Sequence, residues 1–136
     1  MNYEGPEDSS YLDGTALRKA VAQTTAATGD RDGLRRAVFA RIKTFFWEAR
    51  ERVKEDVLQH GLHGLDAARA LSAIQDTTFR IIFEFAVERF FPAGGAGAAE
   101  HITVVATGGY GRGELAPGSD IDLLFIRAAK QMPRGE

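Results

Sequence analysis

The chain has 136 residues, 44% of them hydrophobic and 26% charged, with a net charge of −2 and no cysteine. This is the length of one domain, or of one small domain with part of another, and the apolar share is enough for a core. The charge does not suit a general nucleic-acid binder, which shows a basic patch or stripe. The missing cysteines leave no disulfide framework and no thiolate chemistry. With neither a signal peptide nor a run of about 20 apolar residues, no membrane partner is expected and the expected compartment is the cytoplasm.

Taken in chain order, residues 1–14 are rich in Gly, Pro, Ser and acids and read as a flexible tail. A short helix follows from about Thr15 to Ala27, closed by Gly29. A long helix is predicted from about Gly33 to His60, with Asp30 or Asp32 as its cap. Val38, Ile42, Phe45, Ala49, Val53 and Val57 recur at spacings of three and four and make one apolar stripe. Arg and Glu fill the other face, with Glu48 and Arg52 as an i,i+4 pair. Gly61 and Gly64 bracket a turn, and a further helix is predicted from about Asp66 to Phe90. Its stripe is Leu71, Ile74, Thr78, Ile81, Phe85 and Phe90. Its second half, "FRIIFEFAVERFF", is apolar on more than one face, as in a helix buried against two neighbours. Residues 15–91 thus read as a helical region built around an antiparallel hairpin.

Pro92 ends the last helix, and "PAGGAGAAE", residues 92–100, reads as a flexible linker. Beyond it the periodicity changes. "HITVVATG" reads as a strand from Ile102 to Ala106, and "DIDLLFI" as a second strand from Ile121 to Ile126 buried on both faces. Two such strands form a parallel or mixed piece with open edges.

The second strand carries the chemistry. Side chains alternate along a strand, so Asp120 and Asp122 are expected on one face and Ile121 in the core. Two neighbouring carboxylates repel unless a cation lies between them. Mg²⁺ takes oxygen ligands and bridges carboxylates to substrate phosphates. The preceding "ATGGYG" lets backbone N–H groups of Gly108 and Gly109 approach a ligand closely, and Arg112 can reach a phosphate oxygen. The loop matches neither G-x-G-x-x-G nor a P-loop. A glycine-rich turn alone, or Asp-x-Asp alone, is ordinary structure. Specificity comes from their combination: a strand, a Gly pair, ten residues (110–119), then Asp-Ile-Asp-Leu.

Gly108-Gly109, this spacer and Asp120-Ile121-Asp122-Leu123 resemble the signature of the polymerase-beta-like nucleotidyltransferase superfamily. More narrowly, "GGYGRGELAPGSDIDLLF" and the closing "KQMPRGE" are similar to the N-terminal catalytic domain of the bifunctional protein-PII uridylyltransferase/uridylyl-removing enzymes. The resemblance covers about residues 104–136. It implies an α+β fold, with N-terminal helices followed by the start of a nucleotidyltransferase sheet over residues 101–136. It also implies transfer of UMP from UTP to a tyrosine of the PII signalling protein, with Mg²⁺ or Mn²⁺. By position, Asp120 and Asp122 would be catalytic metal ligands, and Gly108, Gly109, Arg112 and Ser119 would contact the nucleotide. In that family a third carboxylate comes from a later strand, so the expectation is an incomplete sheet and a fragment inactive by itself.

Two other functions fit the pattern: AMP transfer to glutamine synthetase, and a non-catalytic helical interaction module retaining a nucleotidyltransferase remnant. The Gly-Tyr-Gly-Arg-Gly run favours the PII enzymes. Elsewhere, His60, His63 and Asp66 flank a glycine turn and read as exposed rather than as a metal site, and His101 reads as solvated. Phe45, Phe46 and Trp47 read as part core and part surface, and Arg31, Arg35 and Arg36 as a solvated face.

Overall fold

The computed structural model describes residues 11–27, 29–90 and 102–127. Three helices, α1 (Gly14–Ala27), α2 (Arg31–Gln59) and α3 (Gly64–Phe90), precede two strands, β1 (Ile102–Ala106) and β2 (Leu123–Arg127). A single helical turn, α4 (Gly108–Gly111), lies between the strands. The fold is α+β, mostly helical, with a small two-stranded sheet. The linker 92–100 and His101 lie outside the described residues. No helix among the described residues is long and apolar enough to cross a membrane.

Short polar side chains start α1 and α2. The Asp13 carboxylate accepts from the Ala16 N–H at 2.8 Å, and Asp30, not Asp32, caps α2 by accepting from the Gly33 N–H at 2.7 Å. Each satisfies a donor that the first helical turn leaves unpaired. At the other end of α2, Gly61 takes φ +72, which a residue without Cβ adopts cheaply, and the Leu62 N–H turns back to the Asp56 carbonyl at 3.0 Å.

The core is the meeting of the three apolar stripes. Leu17 and Val21 of α1, Val38, Ile42, Ala49 and Val53 of α2, and Leu71, Ile74, Ile81 and Phe85 of α3 are buried together. The α2 stripe departs from expectation at its end: Val57 is exposed and Phe45 half-buried. Phe45, Ala49, Val53 and Val57 are successive steps of four, and each step overshoots a full turn by about 40°, so the stripe rotates away from its neighbours. The Phe90 side chain lies outside the described residues.

Residues 11–14 are not a loose tail. Leu12 is fully buried, the Tyr11 hydroxyl donates to Asp56 Oδ2 at 2.6 Å, and the Arg52 guanidinium donates to the Tyr11 carbonyl. Arg52 therefore serves this anchor. Asp32–Arg35 and Glu51–Lys54 on α2 are exposed ion pairs, worth little each.

Thr78, on the buried face of α3, holds a hydroxyl with no hydrogen-bond partner. A desolvated, unpaired hydroxyl costs about 1–3 kcal/mol. Thr78→Val, which keeps the shape and removes the hydroxyl, is expected to stabilise the chain by about 1 kcal/mol. A thermal midpoint that fails to rise would count against a dry, unsatisfied site.

The strands pair antiparallel, not parallel, with Ala106 opposite Leu123 and Ile102 opposite Arg127. A parallel return requires a crossover, usually a helix lying across the sheet. Residues 107–122 contain only the one turn of α4 and fold back on themselves, so β2 returns alongside β1. The second strand begins at Leu123, two residues later than the sequence indicates, because the aspartates precede the ladder. It is not buried on both faces. Leu123 packs towards the core, while Leu124, Phe125 and Ile126 are all exposed, although the Phe125 ring reaches Phe79 of α3 with centroids 6.4 Å apart. Ile121, expected in the core, is also exposed, since it sits ahead of the strand's alternation.

Candidate nucleotide site

The site is built on the rung beyond the β-ladder. The Thr107 N–H donates to the Asp122 carbonyl at 3.0 Å, continuing the β1–β2 pairing one step past Ala106–Leu123. That rung fixes the backbone of Asp122 beside the turn into α4. Gly108 follows immediately with φ +62, and a Cβ placed on it would lie 3.4 Å from Asp122 Oδ2. The first glycine of the pair and the second aspartate are thus neighbours, although thirteen residues (109–121) separate them in sequence.

Gly109 is crowded rather than open: a Cβ there would meet the Glu114 carbonyl oxygen at 3.2 Å and the Arg112 guanidinium at 3.8 Å. Arg112 is exposed and lies 4.0 Å from the Glu114 carboxylate, a weak hold that leaves the guanidinium able to turn to an anion. Gly108, Gly109, Arg112 and Asp122 therefore meet at the end of β1. Asp120 and Ser119 stand at the far end of the loop, where the Ser119 hydroxyl donates to the Asp120 carbonyl at 3.2 Å. Among the described residues, neither the Asp120 nor the Asp122 carboxylate takes part in a salt bridge or hydrogen bond, and both residues are exposed. Two unpaired, solvent-facing carboxylates suit a hard cation that keeps part of its water shell.

Residues 97–130 match the nucleotidyltransferase domain family. The resemblance carried by the glycine pair and the aspartates extends over most of the chain. It is 37% identical over 126 residues to the bifunctional uridylyltransferase/uridylyl-removing enzyme of Phenylobacterium zucineum (strain HLK1), covering 92% of this chain and 13% of that protein. It is 40% identical over 129 residues to the enzyme of the same name from Bradyrhizobium sp. (strain ORS 278), covering 94% of this chain and 14% of that protein. The chain thus spans about an eighth to a seventh of the length of the curated relatives it matches. No solved structure matches it significantly.

What holds the glycine-rich loop in place was not legible in its motif. Tyr110, between the glycines, is buried, and its hydroxyl donates to Asp76 Oδ1 at 2.6 Å. Leu115 is buried as well, and its N–H donates to Ser72 Oγ at 2.9 Å. Ser72 and Asp76 are spaced one helical turn apart on α3, the only sequence signal that could have paired them. Gly111 lies so close to β1 that a Cβ on it would sit 2.5 Å from the Ala106 carbonyl oxygen.

Burial, and then the Asp76 hydrogen bond, push the Tyr110 hydroxyl well above its ordinary value of 10.0, with Arg80 pulling weakly the other way. A raised folded value means that this contact's stability is complete below about pH 10 and fades as pH climbs past it. Tyr11 is raised too, mainly by its hydrogen bond to Asp56, and acts with the same sign. The chain is expected to lose stability as pH rises above 10, and Tyr110→Phe is expected to flatten part of that slope. Unfolding midpoints from pH 8 to 11 that are flat for the unsubstituted chain would contradict this.

The remaining candidates stay outside the site. His60 Nδ1 lies 2.9 Å from Asp56 Oδ1, where that carboxylate also holds Tyr11, and is thus part of the N-terminal anchor. Among the described residues no three His, Cys, Asp or Glu side chains cluster as a metal site, so His60, His63 and Asp66 do not form one. Phe46 and Trp47 stack edge-on with centroids 5.6 Å apart beneath Arg50, and Arg31, Arg35 and Arg36 are exposed.

Proposed function

We propose that this chain supplies the first part of a metal-dependent nucleotidyl-transfer site that moves UMP from UTP to a tyrosine of the PII signalling protein. The observation that supports it best is the juxtaposition of Gly108 with the Asp122 carboxylate, fixed by the Thr107–Asp122 rung. The names of the relatives, uridylyltransferases both, favour UMP over AMP as the transferred group.

The donor set fits Mg²⁺ or Mn²⁺: two unpaired exposed carboxylates provide oxygen ligands, and a divalent ion of this kind takes the rest from water and substrate phosphate. Asp120 and Asp122 would hold it, and when bound it would neutralise charge building on the transferred phosphoryl group. The chain's own residues bind and orient. Gly108 and Gly109 keep the approach to the phosphates free of side chains. Arg112 offers a planar set of N–H donors to phosphate oxygens, and Ser119 offers a hydroxyl near Asp120.

The test is calorimetric titration of the chain with UTP, with and without Mg²⁺ or Mn²⁺, and with ATP as competitor. Binding at least tenfold tighter with the ion, about 1.4 kcal/mol, and preferring UTP is the expected result. UTP binding that ignores the ion, or no binding at all, would favour the non-catalytic helical module instead.

A further inference from the structure

We propose that Ser72 and Asp76 of α3 are positioning residues for the nucleotide site, holding the glycine-rich loop at two points so that Gly108 stays against Asp122. The inference rests on the proposed function, and the contacts that carry it lie outside the motif.

The loop has a fixed end and a soft body. Its fixed end is the Thr107–Asp122 rung of the ladder. Its body holds five glycines between 108 and 118, of which Gly108, Gly113 and Gly118 have positive φ. Such a segment loses much backbone freedom on ordering and does not hold one shape unaided. Its internal hydrogen bonds, Gly111 N–H to Thr107 O, Gly113 N–H to Tyr110 O and Glu114 N–H to Gly109 O, make it a compact unit. They do not say where that unit sits.

Beside the Gly111 contact with β1, Asp76 and Ser72 tie it to α3. Tyr110 hangs from Asp76 at 2.6 Å and Leu115 from Ser72 at 2.9 Å. The two acceptors are about 6 Å apart along the helix axis. One attachment would leave the loop free to pivot; two separated ones do not. Ser72 Oγ donates its own proton to the Ala68 carbonyl at 3.0 Å, which turns its lone pair towards Leu115. The Tyr110 hydroxyl, whose ordinary value of 10.0 is raised further by burial, is protonated and therefore a donor at neutral pH.

The buried Tyr110 and Leu115 side chains and the Gly111 contact with β1 also hold the loop, but the packing behind it is incomplete. Between α3 and the sheet lies an open cleft of about 550 Å³, lined by Phe79, Arg80 and Phe83 on one side and Val104, Ala106 and Leu123 on the other. A loop released from Asp76 has room to move into it.

The experiment uses the 136-residue chain with Ser72→Ala, Asp76→Ala, their double, and Asp76→Asn, which keeps an acceptor oxygen for Tyr110. UTP affinity is measured with Mn²⁺, helix content and thermal midpoint by circular dichroism, and the Gly108 and Gly109 amide signals by NMR. The expected result is UTP binding weakened about tenfold or more in the double variant, with both amide signals displaced and helix content kept. Asp76→Asn should recover most of the affinity that Asp76→Ala loses. Unchanged UTP affinity and unmoved amide signals in the double variant would overturn the positioning role alone. Weakened binding only in step with lost helix content, with no rescue by Asp76→Asn, would reduce both residues to scaffold and overturn it as well. Absence of ion-dependent UTP binding by the unsubstituted chain would overturn the proposed function first, and the positioning role with it.

Discussion

Asp122→Asn is expected to erase the ion-dependent part of UTP binding, and in a full-length protein carrying this segment to lower nucleotidyl transfer at least about a hundredfold. That is ~3 kcal/mol at about 1.4 kcal/mol per decade, within what loss of a metal-held charge clamp removes. Asparagine keeps the size and one oxygen but gives up the charge that would hold the ion. Asp120→Asn is expected to act in the same direction and less strongly. The Asp122 carbonyl accepts from the Thr107 N–H, at 3.0 Å, and lies 3.4 Å from its hydroxyl, whereas Asp120 stands two residues beyond the ladder. Neither substitution should cost fold stability beyond about 0.5 kcal/mol, the usual range for exposed positions free of special contacts. Binding and unfolding measured on the same preparations separate the two effects. Wild-type affinity and transfer in both Asn variants would remove the aspartates from the site.

How far the sequence could be read depends on whether a residue's partner is local. The helices were legible because their signals lie within one or two turns: Asp30 ahead of α2, the steps of three and four, and Gly61 after it. Leu12 and Tyr11 were lost in an acidic, Gly- and Pro-containing stretch because their partners are the core and Asp56, forty-five residues on in the case of Tyr11. The apolar run after Asp122 reads as a doubly buried strand, yet Leu124, Phe125 and Ile126 are exposed, because among the described residues only β1 pairs with it. Apolar content records what a strand can bury, not what lies over it. Of the proposed site, the motif names Gly108 and Asp122, and their proximity follows from the antiparallel return. It did not give Tyr110, Gly111 or Leu115, which look like loop filler until α3 and β1 are placed against them.

Gly111 carries the second large effect, and its reason is space rather than backbone conformation. It is not among the glycines with positive φ. Its Cα instead faces β1, and a Cβ would fall 2.5 Å from the Ala106 carbonyl oxygen and 2.9 Å from its carbon. Both atoms are backbone, and the Ala106 residue is held by its pairing with Leu123, so no flexible side chain can give way. Gly111→Ala must therefore push α4 off β1, a strain of about 1–3 kcal/mol for an overpacked methyl. The displacement also draws Tyr110 from Asp76, adding about 1 kcal/mol or more for a lost hydrogen bond to a charged group. Gly113→Ala provides the contrast: its φ is +73 but nothing lies within 4 Å of its Cβ, so only about 1–2 kcal/mol of left-handed strain applies. The Gly111 variant is expected to keep its helix content, since α1, α2 and α3 build their core without it. Its Tyr110 is expected to titrate closer to the ordinary tyrosine value, and its UTP affinity to fall more than that of Gly113→Ala. Absorbance titration near 295 nm in a background with Tyr3→Phe and Tyr11→Phe, which leaves Tyr110 as the one tyrosine, paired with UTP binding, reads both. A Gly111→Ala chain with unaltered tyrosine titration and full affinity would mean that the loop does not lie against β1 as closely as the Ala106 contact requires.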